Sequence, residues 1–223
     1  MARLARVVIP GYPHHVTQRG NGRAQTFFGD GDYALYRDLL AAHCGAAGVE
    51  VWAWCLMPNH VHLILVPSDP DGLRRALARV HRIYAGTIQT RRKRTGHFWQ
   101  GRFGAAAMDE PHLAAALRYV SLNPVRARLV ERAQDWRWSS TRAHLRGKDD
   151  GVTVLAPIRD RFSDFADLLA REPEADLFES LRAAESIGRP LGDERFLARL
   201  ERRTGRILKP GKRGPKPSVE GDN

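Results

Sequence analysis

Residues 49–57, VEVWAWCLM, and residues 60–66, HVHLILV, are two apolar strand-like runs separated only by Pro58-Asn59. A turn that short joins them as an antiparallel hairpin, and any fold open to the chain must contain it. Side chains alternate along a strand, so His60, His62, Ile64 and Val66 share one face while Val61, Leu63 and Leu65 share the other. Two imidazoles about 7 Å apart on one face can converge on a metal ion or a phosphate. Ordinary half-buried histidines beside a turn are the plainer alternative.

The flanking segments extend the pattern. HHVTQR (14–19) reads as a strand that Gly20, Asn21 and Gly22 interrupt. DYALYRDLLAAHCGAAG reads as a helix with Leu35, Leu39 and His43 at helical spacing, Asp30 or Asp32 as N-cap and Gly48 as its stop. After the hairpin, Ser68 or Asp69 caps a second helix with Pro70 in its first turn, and Leu73, Leu77, Val80, Tyr84 and Ile88 form its apolar stripe. RFGAAAM (102–108) is a weaker strand. The order strand, helix, strand, strand, helix, strand predicts an α+β, ferredoxin-like antiparallel sheet. Its helices are expected on one face, leaving the other face, with His60 and His62, free to work.

A further helix, DEPHLAAALRYVSLN, takes Asp109 as cap and Leu113, Leu117 and Val120 as its core stripe. Tyr119 lies about 100° around from that stripe, and Asn123 follows one turn later on the same face. Pro124 disfavours helical geometry at Asn123. If this face abuts the hairpin, two imidazoles and one amide oxygen could hold one ion beside a phenol. The expected division is a catalytic domain over 1–145, a helical extension over 146–208 and a basic disordered tail over 209–223.

Charge narrows the function classes. The 223 residues carry 36 Lys and Arg against 25 Asp and Glu, a formal charge of +11, which favours polyanionic partners. Between Asp71 and Phe103 nine basic residues stand against Asp71 as the one acid, and RRTGRILKPGKRGPKP forms a second basic cluster. No apolar run approaches the roughly 18 residues of a membrane span, so no membrane partner and a cytoplasmic location are expected. Cys44 and Cys55 lack metal-type spacing and read as core residues.

Four stretches together, MPNHVHLILV, GHFWQGRF (96–103), RYVSLNPVRARLV (118–130) and WRWSS (136–140), resemble the REP-associated tyrosine transposases. These are single-strand, single-tyrosine enzymes of the His-hydrophobic-His nuclease superfamily. QRGNGR (18–23) fits the same pattern, and the likeness spans residues 1 to about 145. The resemblance implies a metal-dependent single-stranded DNA endonuclease and strand transferase acting at hairpin-flanking sites in repeat elements. It implies His60 and His62 as metal ligands, Tyr119 as nucleophile and Asn123 as third ligand. The expected ion is Mg²⁺ or Mn²⁺, the partner single-stranded DNA with hairpins, and the state a monomer or homodimer.

Arg19, Asn21 and Arg23 after the first strand, and Trp99, Gln100 and Arg102 before the fourth, are candidate DNA contacts, since aromatics stack on bases while arginines track phosphates. Trp99 could instead close the core. Lys212 and Arg213 in KRGPKP resemble a minor-groove hook or a solubilising tail. A water-using metal phosphoesterase and a non-catalytic nucleic-acid-binding module remain alternatives.

Overall fold

In the computed structural model, which describes residues 6–172 and 175–208, the apolar runs pair as the turn between them requires. Strand β2 (Val49–Met57) lies antiparallel to β3 (His60–Pro67), with Met57 opposite His60. Strand β1 (His14–Arg19) lies between β3 and β4 (Gly104–Ala107), giving the sheet order β2-β3-β1-β4 with every pairing antiparallel. With α1 (Asp30–Ala46) between β1 and β2 and α2 (Gly72–Arg91) between β3 and β4, this is the ferredoxin-like βαββαβ arrangement.

The period-2 pattern of β3 sorts two cores. Val61, Leu63 and Leu65 face α1 and α2, where Leu73, Leu77, Val80, Tyr84 and Ile88 are fully buried. Ile64 and Val66 face the other way and pack with Leu113, Leu117 and Val120 of α3 (Glu110–Arg126). That second face is therefore covered, not free. Helices α4 (Thr141–Arg146), α5 (Ala156–Arg161), α6 (Phe165–Ala170), α7 (Ala175–Ile187) and α8 (Glu194–Thr204) follow, and Ile158, Phe165 and Phe178 join this core. An apolar sheet face of this size cannot stay in water.

Local details depart from the sequence expectations for identifiable reasons. Tyr33, Tyr36, Leu40 and Cys44 are the buried residues of α1, while Leu35, Leu39 and His43 are only half buried. The larger aromatics win the core, where Phe27 stacks on Tyr33 at 4.4 Å and meets Tyr36 edge-on. Gly29 takes the N-cap position of α1, and Asp32 accepts instead from the Phe28 backbone N–H. Helix α2 starts after Asp71, so Pro70 precedes it and Asp69 is turned to Arg75. Pro124 stays inside α3, whose last turn closes with the Ala127 N–H donating to the Asn123 carbonyl.

Both sheet edges are sealed. WRWSS runs along β2, where the Leu56 N–H donates to Trp138, the Ser140 N–H donates to Trp54, and Ser139 bridges Cys55. At the other edge, Leu191 bridges Met108 and its N–H donates to Ala107. Unpaired strand edges invite association with other chains, and these contacts remove that opportunity.

Two histidines outside the β3 motif give the fold an acid sensitivity. His14 is fully buried, with Nδ1 donating to the Tyr12 carbonyl and Nε2 accepting from the Ile9 N–H, so only its neutral form satisfies both partners. Burial lowers its pKa to about 4, and burial with the nearby Arg6 lowers that of His81 to about 3. The unfolded chain takes up these protons first, so the stability they confer is whole above about pH 6.5 and is lost as pH falls toward 4. His14 alone accounts for roughly 3 kcal/mol across that window. Urea midpoints measured at pH 7.5, 5.5 and 4.5 are expected to fall progressively; a constant midpoint would contradict the neutral burial of these rings.

Candidate active site

The site begins with strand alternation. On β3, His60 and His62 point to the α3 side of the sheet, with ring centroids 4.8 Å apart and planes nearly perpendicular. On β1 the same face carries His15, Thr17 and Arg19, because Arg19 pairs opposite His60 and Thr17 opposite His62. Helix α3 crosses this face and brings Tyr119, whose ring is edge-on to His62 at 5.3 Å and to His15 at 6.0 Å. The Asp109 carboxylate starts that helix by accepting from the His112 N–H.

The imidazoles are neutral. Burial with the neighbouring Arg19 lowers His60 to about pKa 3, and burial lowers His15 to about 4. His62 is pushed well down by burial, then by His60, His15, Arg19 and Arg126. A neutral imidazole is the form that ligates a metal ion. His62 Nε2 is also buried with no hydrogen-bond partner among the described residues. An orphaned polar atom costs about 1–3 kcal/mol, a penalty that ligating a cation would remove. Nitrogen donors and this orphaned atom fit a divalent ion.

Asn123 opens the last turn of α3, half buried and one turn beyond Tyr119. No hydrogen bond joins it to either imidazole. No three His, Cys, Asp or Glu side chains among the described residues form a ligating group, so a third donor from the protein would have to be of another kind, and an amide qualifies.

The family model described as transposase IS200-like matches residues 10–123, which run from the approach to β1 through Asn123 and cover just over half of the chain. The chain belongs to this transposase family. A Haemophilus influenzae protein bearing the name REP-associated tyrosine transposase is 28% identical over 116 residues, covering 47% of this chain and 66% of that protein, just under two thirds of its length. The solved structure of a REP-associated tyrosine transposase bound to a REP hairpin superposes with a TM-score of 0.56 at 23% identity, covering 68% of this chain and 90% of the other. That likeness supports the fold.

Within this transposase fold, the candidate DNA contacts gather at the end of the sheet where His60 lies. The Asn21 N–H donates to Phe98, the Gln100 N–H to Arg19, and the Gly20 N–H to Asn59, so the loop at 96–103 is stitched to the end of β1 and to the hairpin turn. Asn21, Arg23, Gln100 and Arg102 are exposed there, and Arg19 is half buried. Gly20 is required at the junction, because a Cβ there would meet the Ala24 carbonyl oxygen at 2.2 Å. Trp99 takes the core-closing role: its indole N–H donates to the His81 carbonyl and its ring stacks on Tyr84. Lys212 and Arg213 lie outside the described residues.

Three residues near the site were not singled out from the sequence. His15 contacts both His62 and Tyr119. Arg126 places its guanidinium 5.1 Å from the Tyr119 ring, and Phe178 of α7 meets that ring edge-on at 5.5 Å. Arg126 was detectable in principle, since seven residues after Tyr119 is two helical turns on the same face. Phe178 comes from a distant helix and leaves no such signal.

Proposed function

We propose that this chain is a metal-dependent single-stranded DNA endonuclease and strand transferase that cleaves beside hairpins through a 5′-phosphotyrosine link. The observation that carries this reading is the buried, unpartnered Nε2 of His62 beside the ring of Tyr119, on the face that also carries His60. His60, His62 and Asn123 would hold Mg²⁺ or Mn²⁺, which when bound supplies Lewis-acid polarisation of the scissile phosphate.

The chain's own residues account for the remaining steps. Tyr119 Oη forms a bond to phosphorus as the P–O3′ bond breaks, and the departing 3′ oxygen takes a proton to become a hydroxyl. The ester bond is exchanged, so the step can reverse without a nucleotide. A free tyrosine has a pKa near 10 and needs help to react at neutral pH. The Arg126 guanidinium lies 5.1 Å from the Tyr119 ring centroid, a cation–π contact that helps hold the ring in place. Arg19, Asn21, Arg23, Gln100 and Arg102 would lead the strand toward His60.

Incubating the protein with a labelled hairpin bearing single-stranded flanks and Mn²⁺ should give a denaturation-resistant protein–DNA adduct at Tyr119. Cleavage with no adduct would transfer the nucleophile's role to water. Binding with neither would make the chain a non-catalytic module.

The C-terminal tail is proposed to add non-specific grip. Leu208 packs with Phe196 and Leu200, so a truncation should start at residue 209 to spare that cluster. Removing 209–223 takes away Lys209, Lys212, Arg213 and Lys216. The slope of log Kd for the hairpin against log salt should then flatten by up to roughly 3. An unchanged slope would make the tail a solubility device.

A further inference from the structure

The reading of His60 and His62 as ligands does not say which ring nitrogen each would use, and the surrounding hydrogen bonds answer that. Asn59 donates its amide Nδ2 to the Arg23 carbonyl at 3.1 Å, which turns Oδ1 toward His60 Nδ1 at 2.6 Å. An amide oxygen only accepts, so His60 Nδ1 must carry the proton and Nε2 is left with its lone pair. His62 Nδ1 lies 3.1 Å from His15 Nε2, with the two rings nearly parallel. One proton is shared between those nitrogens. If His15 supplied it, the His62 proton would sit on the buried Nε2, an N–H with no acceptor. A buried N–H without an acceptor is rarer than an unused lone pair, so His62 Nδ1 donates and Nε2 keeps its lone pair.

We propose that His15 and Asn59 are positioning residues that hold His62 and His60 in the same tautomer, presenting both Nε2 lone pairs to one ion. The inference rests on the metal-site reading above. His15 suits the task because β1 is flanked on both sides, by β3 at Ile64 and by β4 at Ala106, so its ring has little freedom to drift. Its Nε2 is engaged with His62 Nδ1, on the opposite side of that ring from the unpartnered Nε2. Outer partners of this kind typically change metal affinity 10–100-fold when removed.

The test separates the positioning role from the metal site itself. In metal-free wild-type protein, nitrogen-15 NMR of the imidazoles should show His60 and His62 protonated at Nδ1. His15→Leu keeps the bulk and removes the acceptor; His62 should move toward the Nε2-protonated form, and Mn²⁺ affinity measured by electron paramagnetic resonance should fall about 10–100-fold. His15→Gln, which restores an acceptor, should recover most of that affinity. Asn59→Leu, in the half-exposed turn, should change the tautomer of His60 and leave that of His62, and it keeps the question open to test if His15→Leu fails to fold. Hairpin affinity in EDTA should be unchanged in both His15 variants. Nε2-protonated His62 in the wild type, or wild-type Mn²⁺ affinity in both leucine variants, would overturn the proposal, as would nitrogen couplings placing His15 itself on the ion. If the wild type bound no Mn²⁺, the metal reading would fall, while the metal-free spectra would still decide whether His15 and Asn59 set the tautomers.

Discussion

Tyr119→Phe is expected to abolish adduct formation and lower strand cleavage by at least ~10⁴-fold, because it deletes the one oxygen proposed to attack phosphorus. The ring would remain in place, edge-on to His62 and Phe178 and beneath Arg126. Stability should change by no more than the ~1 kcal/mol of a single hydrogen bond. Hairpin affinity by fluorescence anisotropy and the denaturant midpoint should therefore match the wild type while the gel-stable adduct disappears. Cleavage by the Phe variant at the wild-type rate would identify water as the nucleophile.

Replacing the histidines should have an equally large effect on cleavage by another route. His60→Ala and His62→Ala each remove one proposed ligand and should lose metal-dependent cutting, while hairpin affinity in EDTA holds. The two variants should differ in stability. His60 is half buried beside the turn, whereas His62 is fully buried and hydrogen-bonded to His15. His62→Ala leaves a cavity and strands His15 Nε2, a loss of ~2 kcal/mol or more and a melting temperature lower by roughly 4–8 °C. His62→Gln should regain part of that stability without regaining activity. A folded His62→Ala protein with undiminished cleavage would remove the histidine pair from the mechanism.

Much of this follows from local pattern. The Pro58-Asn59 turn between two apolar runs forces the hairpin, and period 2 puts His60 and His62 on one face of it. The stripe of α2 and the Asp109 cap of α3 are equally local, since each depends on residues within a turn or two. The helical continuation through Pro124 is not, because the sequence rule at Asn123 concerns an isolated backbone and packing of α3 on the sheet overrides it.

The tertiary structure decided what those histidines meet. Sequence alternation says which face they share, but not that α3 and the helices after it close over that face, bury His62 and bring Phe178 against Tyr119. His15 lies 47 positions before His62 and joins the site only because β1 pairs beside β3 in a register that sets Thr17 opposite His62. Nothing in the order of residues encodes that diagonal contact. Trp99 shows the same limit, since an aromatic in a basic loop can serve a base or a core, and its hydrogen bond to the His81 carbonyl forms only once α2 lies beside that loop. Local chemistry is written in neighbouring residues, whereas the partners that orient a buried ring depend on which strands lie side by side.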